Sequence, residues 1–175
     1  MVKTSVLGMT IGAALLCSVS GAPAADKASE TFISNAIQGN LAEVKVGQLA
    51  QQKGQSEEAK KFGQTLQKDH SEANQNAMQV AKQMGVMAPT EPNAQQKAVY
   101  DKLSKLSGAA FDREFAQEMV QDHQKDIKEY QTEAKMNDAA GMYAKETLPH
   151  LQMHLQMAEQ LSKDTAATVG SGSRK

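Results

Sequence analysis

Four polar residues stand where a helix would otherwise carry apolar side chains: Glu43, His70, His123 and His154. The chain holds only four histidines, and three of them fall in this set. Two occur in similar contexts, Gln67-Lys68-Asp69-His70 and Val120-Gln121-Asp122-His123. At about 100° per residue, Glu43 shares an arc with Phe32, Ala36 and Ala50, and His70 lies between Leu66 and Ala77. His123 falls near Met119 and Tyr130, and His154 beside Leu151 and Ala158. One carboxylate and three imidazoles converging at one point suit Zn²⁺, Mn²⁺, Fe²⁺, Ni²⁺ or Cu²⁺. The other reading of the same set is a hydrogen-bonded polar network that only fixes helix register.

Their heights agree with convergence. Glu43 and His70 are about 12 and 15 residues from the turn near Gly54, level to within about 5 Å. His123 and His154 are about 15 and 16 residues from the turn at Asn137 and Asp138, level to within about 2 Å. Adjacent residues on a helix point about 100° apart, so neither Asp69 nor Asp122 faces its own neighbouring histidine. Each is expected instead to orient an imidazole through water or across helices. His150, four residues before His154, points to the arc margin, which makes it a surface residue or an extra ligand. The methionines read as fillers of a core short of aromatics.

Other chemistries lack their parts. Diiron carboxylate bundles use Glu-x-x-His twice, but the residues three before the histidines are Gln67, Val120 and Leu151. There is no Ser-His-Asp arrangement and no Gly-rich phosphate loop. The lone cysteine, Cys17, lies in the leader described next.

Residues 1–24 read as a cleaved signal peptide. Lys3 opens it, Val6 to Val19 is apolar or small, and Ala22-Pro23-Ala24 suits a signal peptidase. A lipoprotein signal ending at Cys17 fits poorly, because Leu16 precedes the cysteine. Removing the leader leaves a cysteine-free chain with one fewer basic residue than the 19 of the full sequence, against 20 acidic. That balance makes no case for nucleic acid, and no other apolar stretch approaches membrane length. The expected location is periplasmic or secreted. A homo-oligomer and an association with the cell envelope are both compatible with the sequence.

The elements that must position the polar set are helices. Ala, Gln, Lys, Glu, Leu and Met dominate, and no strand is expected. Helix one is expected at Ser29 to Gln52, stopped near Gly54, and helix two from a Ser56 cap to Met84, ended by Gly85. A minor helix starts near Pro92 with Thr90 as cap, followed by Ala109 to Met136 and Ala139 to Lys163. Pro149 should bend the last helix. The expected unit is 29–163, with a disordered tail at 164–175. Two hairpins joined by one long connection predict an all-α, ferritin-like four-helix bundle with a short extra helix in the crossover, and an up-down-up-down bundle is the alternative.

Four segments, "FISNAIQGNLAEVKVGQLA", "KKFGQTLQKDHSEAN", "LSGAAFDREFAQEMVQDHQKDIKEY" and "ETLPHLQMHLQMAEQL", resemble the domain of unknown function 4142 family of bacterial exported proteins, often labelled predicted outer membrane proteins. The resemblance covers nearly all of residues 31–161. It implies a ferritin-like bundle and marks Glu43, Asp69, His70, Phe111, Asp112, His123, Pro149 and His154 as motif positions. It does not mark His150, and it implies no particular activity. Helices of this polarity do not build an outer-membrane barrel.

Overall fold

The computed structural model describes residues 26–172, with side chains to residue 167. The expected leader, residues 1–24, lies outside the described residues. Five helices and no strand are present among them: α1 (Lys27–Lys53), α2 (Glu57–Met84), α3 (Ala94–Ser104), α4 (Gly108–Glu133) and α5 (Ala139–Gly172). No helix among the described residues is long and apolar enough to cross a membrane.

Local chemistry sets most of the ends. Ser56 Oγ accepts from Ala59 N at 3.2 Å and caps α2, with Glu57 and Glu58 in the first turn against the helix dipole. Gly85 ends α2 in the left-handed conformation at φ 73°, open to glycine without strain. Asp138 Oδ1 accepts from Gly141 N at 2.8 Å and starts α5.

Three ends differ from expectation. α3 is capped by Asn93, not Thr90: Asn93 Oδ1 accepts from Gln96 N at 3.0 Å, and Gln96 Oε1 accepts from Asn93 N at 2.8 Å. This reciprocal pair satisfies two otherwise orphaned donors, which Thr90 cannot match because Asn93, not Glu or Gln, lies three residues on. α4 ends at Glu133, before Met136, where the chain folds tightly against Gly141; a Cβ there would meet Met136 O at 2.3 Å. α5 continues to Gly172 through most of the stretch expected as a tail. Gln160 Nε2 donates to Asp164 at 3.0 Å, Thr165 Oγ1 to Ser162 O at 3.0 Å, and Ala166 and Ala167 favour helix. Pro149 sits inside α5 without ending it.

α1 packs on α2 and α4 on α5, and the two hairpins meet through α2 on α5 and α1 on α4. α3 lies against α1 and α4. The contact that sets direction is Asp112, in the first turns of α4 and buried. Its two oxygens accept from the backbone N–H of Gln55 and Ser56, at 2.9 and 2.8 Å, in the turn between α1 and α2. Gly54 makes room for it: a Cβ there would stand 3.3 Å from Asp112 Oδ1. Both α2 and α4 therefore start at this end and run the same way, so the crossover between them traverses the bundle. This excludes up-down-up-down.

Apolar side chains form two cores. Leu49, Phe62, Leu66, Phe111, Phe115 and Leu161 pack at the Asp112 end, and Phe32, Ile33, Ile37, Ala77, Tyr130 and Tyr143 at the other. α1 and α2 touch backbone to backbone: a Cβ on Gly47 would meet Gly63 O at 2.5 Å.

Asp112→Ala is expected to lower stability by about 2–4 kcal/mol, because it removes two charge-assisted hydrogen bonds from a buried site. Urea unfolding measures this. A loss under about 0.5 kcal/mol would show that the clasp contributes little.

Candidate metal centre

Between the two cores lies a polar layer. On each helix the apolar stripe is interrupted at one level: Asn40 and Glu43 on α1, His70 on α2, His123 on α4 and His154 on α5. All five are buried, and the three histidines are 4 %, 2 % and 1 % exposed. Their ring centroids stand 5.9, 5.2 and 5.3 Å apart. One nitrogen from each ring can be chosen so that all three lie within 4.8 Å of one another.

The hydrogen bonds define which nitrogen faces which way. His70 Nδ1 is 2.9 Å from Asn40 Oδ1; Asn40 directs its Nδ2 to the Tyr143 hydroxyl, leaving this oxygen to accept. His123 Nδ1 donates to the carbonyl of Met119 at 3.0 Å. His154 Nε2 donates to Asp69 Oδ2 at 3.0 Å. Each imidazole thus spends its one N–H on an oxygen acceptor. The remaining nitrogens, His70 Nε2, His123 Nε2 and His154 Nδ1, are buried and have no hydrogen-bond partner among the described residues. They are lone pairs, because a neutral imidazole with one nitrogen donating presents an acceptor at the other.

Burial keeps the rings neutral. It pushes His70 well below the usual histidine range, reinforced by His123 and His154. It lowers His123 to about 3, with His154 adding to the effect. It also lowers His154, against the opposing pull of Asp69.

Asp69 reaches across from α2 to the His154 imidazole on α5. Asp122 does not orient a histidine; it sits against Glu43. Among the described residues no N–H or O–H donor reaches Glu43 Oε2, and its neighbour is the Asp122 carboxyl group. Burial, then the charge of Asp122 and a shared hydrogen bond with it, then Asp126, push Glu43 well above the usual carboxylate range. Glu43 therefore holds a proton against Asp122. The set of ligand atoms within 4.8 Å closes on the three histidines and does not include Glu43.

His150 is exposed, with Nδ1 3.7 Å from Asp69 Oδ2. Two participants escape a search for charged or ligating residues. Asn40 fixes the orientation of His70, and its signal was a polar side chain on the α1 stripe, one turn from Ala36 and from Glu43. The Met119 carbonyl fixes His123 and has no side-chain signature.

The family model described as domain of unknown function (DUF4142) matches residues 16–161. No curated protein and no solved structure matches the chain.

Two pH effects follow for the metal-free protein. A histidine in the unfolded chain takes up a proton near 6.5, whereas folded His123 resists protonation down to about 3. Acid therefore favours the unfolded chain, and this part of the stability falls as pH drops from 6.5 toward 3. His123→Leu is expected to flatten the pH dependence by about 1 kcal/mol per pH unit between about pH 6 and pH 4. An unchanged slope in urea titrations would show that His123 is not held neutral. Glu43 acts in the opposite sense. Its raised folded value gives stability that is complete below 4.5 and lost as pH rises through that value. With chelator present, Glu43→Gln should be more stable than wild type at about pH 7.5 and equal to it below about pH 4.5. A loss of stability at the higher pH would contradict the protonated carboxyl.

Proposed function

This chain belongs to the DUF4142 family, and from its own side chains we propose that it is an exported helical bundle of ferritin-like type holding one transition-metal ion on His70, His123 and His154. The observation that carries this reading is the set of three buried ring nitrogens without a hydrogen-bond partner among the described residues, in three rings that each offer a nitrogen within 4.8 Å of the others. A network serving only packing would spend those nitrogens on donors. Here each second nitrogen is tied to an oxygen, which fixes the tautomer and leaves the other nitrogen as a lone pair. Such acceptors behind the imidazoles are the usual support of metal-bound histidines. Three buried lone pairs left close together without a donor are unfavourable, and a cation relieves this.

Three neutral imidazoles and no thiolate suit zinc and the borderline first-row ions. Three protein ligands leave a coordination position for water or a small ligand. Glu43 and Asp122 form a carboxyl pair, each pushed above the usual carboxylate range first by burial. Export rests on Lys3, the apolar run and the Ala22-Pro23-Ala24 pattern.

Untagged protein is expected to bind one equivalent of Zn²⁺ or Co²⁺ in equilibrium dialysis. At a free-metal concentration of about 100 times Kd, its stability should rise by about 2.7 kcal/mol, reversed by chelator. His123→Leu, which fills the ring's space with apolar atoms, should fold and lose the binding. Binding by His123→Leu at the wild-type stoichiometry, or none by wild type, overturns the proposal.

A further inference from the structure

The three-histidine centre is buried, so an ion must cross a wall of the bundle to reach it. Two cavities touch the centre. One, about 100 Å³, lies between α1 and α4 beneath the start of α3; it reaches only His70 of the three, and its wall carries Lys125 together with Asp122, Asp126 and Glu129. The other, about 240 Å³, opens between α2 and α5 and is lined by residues of those two helices alone among the described residues. It reaches both His70 and His154, and its lining includes Asp69, Glu72, Glu146 and His150 but no lysine or arginine.

Along α5, Glu146, His150 and His154 are spaced four apart, so they share one face in successive turns. The same oxygen, Asp69 Oδ2, holds buried His154 at 3.0 Å and faces exposed His150 Nδ1 at 3.7 Å. The second gap is too wide for a hydrogen bond. It fits a bridging ion: two ligand atoms each about 2.1 Å from one metal stand about 3–4 Å apart. The other oxygen, Oδ1, is 3.2 Å from the exposed Lys68 ammonium.

Resting on the metal reading above, we propose that Asp69 and His150 form an outer capture site for the same divalent cation. Glu72 and Glu146 draw the ion to the α2/α5 opening, and Asp69 with His150 takes it up. His70 and His154, which line the same cavity, then receive it. A cleft lined with one sign of charge concentrates its counter-ion and speeds association. The outer pair sets the rate of loading, not the strength of the final binding.

The test follows Co²⁺ uptake by untagged protein in stopped-flow absorbance. The variants are His150→Ala alone and combined with Glu146→Gln, both at exposed positions. The double variant is expected to load about tenfold more slowly and to release cobalt to chelator more slowly by the same factor. Its equilibrium affinity should stay within about twofold of wild type, since only the path has changed. Lys125→Ala, in the opposite cavity, should load at the wild-type rate. Loading of the double variant at the wild-type rate overturns the outer site while leaving the inner centre intact. So does faster loading by Lys125→Ala with no effect of the double variant, which would assign the α1/α4 route. A wild-type chain that takes up no cobalt overturns both readings.

Discussion

Everything at the centre of this bundle follows from the cost of hiding imidazole nitrogens from water. Each ring has two nitrogens, and a buried neutral ring can donate from only one. Asn40, the Met119 carbonyl and Asp69 consume the three available N–H groups. What remains, among the described residues, is a set of acceptors without a donor, set between two apolar cores that admit no easy rearrangement. Tight packing above and below keeps the four helices at fixed spacing, so the rings cannot separate to find other partners. The same burial holds the histidines neutral and Glu43 protonated, so little net charge is hidden in the layer.

The helices and the histidine layer were legible because both rest on periodicity. Ser56 and Gly85 carry their cap chemistry in their residue types, and the three histidines fall on the stripes at matching heights. What failed to show was pairing across helices. The rotation of about 100° per residue excludes each Asp-His neighbour pair as a dyad but cannot say which helix the aspartate meets instead. Asp69 meets α5, because α2 packs on α5; Asp122 meets Glu43, because α1 packs on α4. Glu43 has the angle and height of a ligand and is diverted by that neighbour. The Asn93 cap was readable in the Asn-x-x-Gln spacing, whereas Pro92 drew the boundary too early.

The bundle is asymmetric in a way that bears on access. α3 and the segment before it lie over α1 and α4, so the carboxyl pair sits on the covered side. Among the described residues the α2/α5 seam has no such cover, and Asp69 and His150 lie along it. The chain thus places the Glu43–Asp122 pair and Asp69 on opposite flanks of the same histidine layer. Close backbone contact at Gly47 and Gly63 seals the α1/α2 seam at a neighbouring level.

The relative direction of the two hairpins is stored in one side chain, since Asp112 ties the start of α4 to the turn between α1 and α2. The stretch from Val86 to Pro92 is thereby relieved of any role in alignment. Lengthening a loop whose ends are already held costs little, about 0.6 kcal/mol for each doubling. That stretch can therefore vary in length and composition at little cost, whereas Gly54 is held in place: a Cβ there would meet Ala50 O at 2.6 Å as well as stand 3.3 Å from Asp112 Oδ1.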